Sequence, residues 1–211
     1  MSRVGERGSR AATTVPIEDA VDAMAGPGHW VRVEKVQKTT QGLELSFAIH
    51  NDKRGKKVDT WSVACSGVLE THITDLDGGG IAVYDTTHPA ARQWVTRLGE
   101  LRWRAGGDEI EMLGALYDAH AKVVDDWIPF WSYAYFGTPE GNGFLRRGRD
   151  LVVRGPDFLL RAYAKALRAS GERPRLTLRK RSRKRPVRPK VLHFGTSYIV
   201  AAAFVAQRRE K

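Results

Sequence analysis

The chain has a single cysteine in 211 residues. One thiol forms no internal disulfide, which excludes a disulfide-stapled secreted scaffold and makes a reducing, cytoplasmic setting the natural expectation. Long apolar runs are missing as well. The longest, Tyr198 to Ala206, has nine residues, against about 20 for a helical membrane span, so no membrane partner is expected. The opening MSRVGERGSRAATT carries charges with no apolar stretch behind them. It lacks the form of a secretory signal and reads as a disordered tail over residues 1–14.

Several catalytic signatures are absent too. There is no Gly-x-Gly-x-x-Gly after a strand, and Gly78-Gly-Gly80 lacks the Lys-Ser/Thr of a phosphate loop. No Gly-x-Ser-x-Gly elbow and no paired cysteines for zinc occur. Dinucleotide enzymes, P-loop nucleotidases, α/β-hydrolases and zinc modules therefore find no support. Cys65 lies inside the apolar run Trp61–Leu69 with no histidine beside it in sequence, so it reads as a small core residue rather than a nucleophile.

What is present is ordinary globular material with an uneven charge. Apolar residues make up 42% and charged residues 28%, enough apolar content for a folded core at this length. The net charge is +11, but residues 1–145 carry 15 bases against 20 acids, whereas residues 146–190 carry 17 against 3. Arginine outnumbers lysine 24 to 11, a bias that suits a bacterial genome rich in G and C. The densest stretch, Arg173 to Lys190, has ten bases in eighteen residues and no acid. Such a row repels itself unless it stays solvated or meets a polyanion.

Hydrophobic periodicity predicts the elements. Ile17–Met24 reads as a short helix closed by Gly26-Pro-Gly28; His29–Val36, Leu43–Ile49, Asp59–Ile73 and Ile81–Tyr84 read as strands of an antiparallel meander. Thr87-His-Pro89 starts a helix, with proline in the first turn where its missing N–H costs nothing. Leu101–Trp103 is extended. Asp108–Trp127 is the longest predicted helix, with the apolar stripe Ile110, Leu113, Tyr117, Ala121 and Val124. Leu151–Val153 and Leu176–Leu178 are extended around a helix opened by Gly155-Pro156-Asp157, and Val191–Ala206 suits either strand or helix. Together these predict one α+β domain over residues 15–211, a mostly antiparallel sheet packed against two or three helices, with a basic arm at 179–190. Ile81–Arg104 and Leu151–Lys180 both read strand, helix, strand, which suggests a repeated unit.

Three groups of residues carry candidate chemistry. The first is the basic set Arg146, Arg147, Arg149, Arg175, Arg179, Lys180, Arg181, Arg183, Lys184, Arg185, Arg188 and Lys190. Arginine forks onto phosphate oxygens, and nothing here reads base edges, so the expected partner is nucleic acid bound without sequence preference. The alternative is a solvated loop. The second is the aromatic run Trp127 to Phe136. Its Trp127, Trp131, Tyr133 and Tyr135 suit a core or, if exposed on one strand face, an interface to a protein partner or a second copy. The third is His72, Asp75, Asp77, Asp85 and His88. Their N/O donors would suit a divalent metal and phosphodiester hydrolysis, yet the same residues serve as turn formers and helix caps. The expectation is a non-catalytic, cytoplasmic nucleic-acid-binding protein without a cofactor or metal. A protein-interaction module and a metal-dependent hydrolase are the alternatives.

Overall fold

The structure, a computed structural model, describes residues 13–51, 55–76, 79–104, 106–125, 127–133, 150–180 and 188–209. It is an α+β protein built from antiparallel sheets and helices. Residues 15–211, read above as one domain, distribute over two compact units: Met1–Asp85 with Pro189–Lys211, and Thr86–Arg188. Each unit has its own apolar core.

The first unit is a seven-stranded sheet. β1 (Thr14–Pro16) leads into helix α1 (Ile17–Met24); β2 (His29–Thr39), β3 (Gly42–Asn51) and β4 (Lys56–His72) form a meander; β5 (Ile81–Tyr84) lies at the far edge. β9 (Lys190–Phe194) and β10 (Ser197–Arg208) close the sheet in the order β2-β3-β4-β10-β9-β5, with β1 beside β10. Strand alternation sends Leu45, Phe47 and Ile49 of β3 and Trp61, Val63 and Cys65 of β4 to one face. On α1, Ile17, Ala20, Val21 and Met24 fall at helical spacing and are buried in that same core. Residues 191–206, ambiguous from their alanines, form a hairpin, because Gly195-Thr196 breaks the run and Phe194 pairs with Ser197. Burial pushes the Cys65 thiol up to about 12, which keeps it protonated and inert as a core residue.

The second unit is a three-stranded sheet backed by helices. α2 (Pro89–Val95) precedes β6 (Leu98–Arg104), then come α3 (Glu109–Val124) and a single 3-10 turn (Phe130–Ser132). β7 (Asp150–Pro156), α4 (Asp157–Ala169) and β8 (Arg175–Leu178) complete it, with strand order β7-β6-β8. β7 and β8 both run antiparallel to β6 and flank it. The likeness of Ile81–Arg104 to Leu151–Lys180 therefore stops at element order: β5 and β6 enter different sheets, whereas β7 and β8 share one.

The core of this unit joins Leu101, Trp103 and Val153 of the sheet to Leu159, Leu160, Tyr163 and Leu167 of α4 and to Met112, Leu116 and Val124 of α3. Trp103 donates its indole N–H to Met112 Sδ at 3.1 Å. His120 is buried among them. Its Nε2–H donates to the Ile128 carbonyl at 2.5 Å, and its Nδ1 accepts from the Tyr163 hydroxyl at 2.7 Å.

The buried face of α3 matches the predicted stripe only at Val124 and, partly, Leu113. Met112, Leu116, His120 and Val124 face the core, while Ile110, Tyr117 and Ala121 are exposed. Apolar residues lie on two sides of this helix, so periodicity alone does not choose between them; the pairing of His120 with Tyr163 does. The helix also ends earlier than Trp127. Asp125 takes φ 53°, outside the helical region, and its N–H caps Ala121 O at 2.8 Å.

Candidate nucleic-acid interface

One face of the β7-β6-β8 sheet packs on the core and the other faces outward. The parity is read from β6: Gly99, Leu101 and Trp103 are buried, while Arg102 and Arg104 are exposed and Glu100 is partly exposed. Register then puts Arg154 of β7 opposite Glu100, and Thr177 and Arg175 of β8 opposite Glu100 and Arg102. Arg179 continues the edge, because its N–H donates to Leu98 O at 2.9 Å and keeps the outward parity of Arg175 and Thr177. The outward face thus collects Arg102, Arg104, Arg154, Arg175 and Arg179 with two acidic positions, Glu100 and Asp150, the latter opposite Arg104 in the register.

Glu100 neutralises part of this field. It accepts from Arg102 Nε and from Arg154 Nε, the latter at 2.9 Å. Those bonds, Arg102 first, hold its carboxyl below the usual range, so it stays ionised. The bases on and beyond β8 are less compensated. Arg175 sits directly across from Arg102, a like-charge pair that costs stability in a sheet unless an anion intervenes. Among the described residues no carboxylate pairs with Arg175, Arg179, Lys180 or Arg188, all exposed. Elsewhere bases are matched: Arg208 meets Asp59 at 2.8 Å, Arg209 meets Glu44 at 3.0 Å, and Lys57 meets Glu34 at 2.6 Å.

A second basic row lies on α4. Arg161, Lys165 and Arg168 are exposed at i, i+4 and i+7, one face of the helix. Arg161 is tied to Asp157 at 2.5 Å, and Asp157 also takes Arg97 at 3.2 Å.

The candidate residues named from sequence divide as follows. Arg175, Arg179, Lys180 and Arg188 are exposed, the first three along or just past β8. Lys190 belongs to the first unit, where it starts β9 and pairs with Glu18 of α1; that bond, with a backbone hydrogen bond behind it, lowers the Glu18 carboxyl. Arg146, Arg147, Arg149, Arg181, Arg183, Lys184 and Arg185 lie outside the described residues, as do Tyr135 and Asp77. Arg102 and Arg104, not singled out from sequence, share the outward face with Arg175. The alternation Glu100-x-Arg102-x-Arg104 in a strand is the signal that would have found them.

The aromatic run departs from the strand expected across Trp131 and Tyr133. Pro129 enters with φ −58° and opens a 3-10 turn, so Phe130 turns inward and is buried while Trp131 is 53% exposed. Trp127 packs edge-on against His88 at 4.4 Å, and Tyr133 donates its hydroxyl to Gln93 Oε1.

Among the described residues no group of three or more His, Cys, Asp or Glu is placed to hold a metal. His72 stacks on Tyr198 at 5.3 Å. Asp75 is held through its backbone, whose N–H and carbonyl both bond Ser197 Oγ, at 3.1 and 2.9 Å. Asp85 follows β5. His88 caps α2, its Nδ1 accepting from Ala90 N at 3.3 Å. No described helix is long and apolar enough to cross a membrane. Compared with family models, curated proteins and solved structures, the chain matches none.

Proposed function

We propose that this protein binds nucleic acid through the phosphate backbone, without sequence preference and without catalysis, in a reducing cytoplasm. The observation that carries the reading is the outward face of the β7-β6-β8 sheet. Five arginines share it with two acidic positions, Glu100 and Asp150, and the face runs along β8 into Lys180, with Arg188 exposed as well. Guanidinium groups fixed on strands at cross-strand spacing form a preset array for phosphate oxygens. No aromatic side chain shares that described face, so base stacking has no platform and the contacts are electrostatic.

The test is a salt titration of binding to a fluorescent single strand and to a duplex. Each phosphate contact contributes about 0.9 to the log–log slope on duplex and about 0.7 on a single strand. Replacing Arg175, Arg179, Lys180 and Arg188 by alanine should flatten the duplex slope by about 3 to 4 and weaken binding equally for unrelated sequences. The melting temperature should stay close to that of the parent, because these side chains are exposed and make no described ion pair. Unchanged affinity and slope in that variant would refute the reading.

A further inference from the structure

The seven-stranded sheet curls until its two edge segments meet. Val31 of β2 pairs with Gly79 ahead of β5, its N–H donating to Gly79 O at 3.3 Å, and Val33 N–H donates to Leu76 O at 2.9 Å. Along most of each strand the inward positions are apolar: Val31 and Val33 of β2, Trp61, Val63 and Cys65 of β4, Phe204 and Ala206 of β10. At one end of the sheet the same parity runs on into polar residues, His29 on β2, Asp59 on β4 and Arg208 on β10. Charged groups at core-facing positions are costly unless they are paired and reach solvent. These three border a cavity of about 310 Å³ instead of packed core. Its apolar wall is made by Ala23 of α1 and by Ile49, Val58 and Trp61. The mouth of a curled sheet is a common seat for a small molecule, and this volume lies at the lower end of the range such sites occupy.

The polar groups at this mouth are unevenly used. Asp59 is nearly saturated: its carboxylate accepts from Thr60 N at 2.9 Å, Trp61 Nε1 at 3.1 Å and Arg208 Nε at 2.8 Å, which fills three of about four lone-pair sites. Donors are left over. Arg208 spends Nε on Asp59, while its side chain is 62% exposed and its terminal nitrogens bond no described residue. His29 Nδ1 is enclosed without a hydrogen-bond partner. It lies against Gly26, where a Cβ would come within 2.7 Å of it, so Nε2 is the ring nitrogen left to face the cavity. We propose that the cavity binds a small organic acid, its apolar body against Trp61, Ile49 and Val58 and its carboxylate held by Arg208 and His29. Arginine forks onto a carboxylate through its terminal nitrogens even while Nε serves another. A ligand ammonium would find one lone-pair site on Asp59, beside the Arg208 cation. At roughly 30 Å³ per water-sized group the cavity holds about ten such groups, the size of an aromatic monocarboxylate. The site belongs to the first unit, whereas the arginine face belongs to the second.

Titration of the isotope-labelled full-length protein with sodium benzoate at constant ionic strength tests this, read by NMR at the Trp61 indole N–H and at the His29 and Arg208 amides. Those resonances should shift saturably with a Kd of roughly 0.1 to 1 mM. Benzamide and benzylammonium, which lack the negative charge, and acetate, which lacks the apolar body, should each bind at least about tenfold more weakly. Arg208→Gln removes the anchoring cation, and Val58→Glu sets a carboxylate at the rim. Both positions are exposed, so both variants should keep a folded spectrum and bind benzoate at least about tenfold more weakly. No saturable shift at the cavity by about 20 mM benzoate, equal affinity for benzamide, or unchanged affinity in both variants would overturn the proposal. Shifts at the amides of Arg102 and Arg175 in place of the cavity would do so too, by showing adsorption on the arginine face. None of these outcomes bears on nucleic-acid binding, which the salt titration decides separately.

Discussion

Removing His120 is the sharpest perturbation of the second unit. The imidazole is 3% exposed and holds two buried polar groups at once, the Tyr163 hydroxyl at 2.7 Å and the Ile128 carbonyl at 2.5 Å. His120→Leu leaves both without a partner, at about 1 to 3 kcal/mol each, and forfeits the ring contact with Phe130. The expected loss is roughly 4 kcal/mol. For a unit of this size each kcal/mol moves the melting temperature by about 4 to 8 °C, so the transition should fall by roughly 15 to 30 °C. Tyr163→Phe alone orphans Nδ1 and should cost about 1 to 2 kcal/mol. Combining His120→Leu with Tyr163→Phe removes both ends of one bond, so the double variant should be less destabilised than the sum of the singles by about 1 kcal/mol.

The same residue sets a pH dependence. Burial is the first cause that pushes the His120 imidazole down, only partly opposed by its bond to Ile128. Folded His120 thus holds a proton less tightly than unfolded His120, and the unfolded chain takes up the extra proton. Its stabilising contribution is full above about pH 6.5 and is lost as pH falls from there through the depressed folded value, with a slope no steeper than about 1.4 kcal/mol per pH unit. His193, also lowered by burial, adds a term of the same sign in the other unit. Urea titrations at pH 7.5, 6.5 and 5.5 on the parent and on His120→Gln cancel that term by difference. A parent that loses no more stability than His120→Gln between pH 7.5 and 5.5, or singles whose costs add within about 0.3 kcal/mol, would refute the argument.

Two further substitutions probe the sheet of each unit. Glu100→Gln removes the carboxylate that bonds Arg102 and Arg154 on the outward face; binding to duplex should tighten and the log–log salt slope should steepen by about 1, measured by the same titration. Gly42→Ala should be severe, because Gly42 holds φ 148° and a Cβ there would lie 2.1 Å from Cys65 O; a loss of about 3 kcal/mol or more in urea unfolding is expected, and a loss below about 1 kcal/mol would contradict the close strand approach.

Much of the element order was legible because local rules acted alone. Helix α1 spans Ile17–Met24 as its apolar spacing predicts, and Pro89 and Pro156 mark the starts of α2 and α4. The strands β3 and β5 cover the segments read as extended. Residues 191–206 were ambiguous because alanine suits strand and helix alike, and pairing of β10 with β4 and β9 resolved them. The stripe on α3 was assigned wrongly at Ile110, Tyr117 and Ala121 for a comparable reason: both Ile110-Tyr117 and Met112-Leu116 satisfy a helical period.

The candidate site divides along the same line. Composition and order along the chain determined that positive charge concentrates behind residue 145 and that one thiol is left without a partner. Those are properties of covalent sequence, and no fold alters them. Which charges act together was decided by tertiary structure. Strand register brings Arg102 and Arg104 of β6, Arg154 of β7 and Arg175 of β8 onto one face across more than seventy positions of sequence, and it moves Lys190 into an ion pair with Glu18. Coulomb energy depends on distance in space, so an array of charges has no existence until the backbone hydrogen bonds of the sheet fix the spacing between its members.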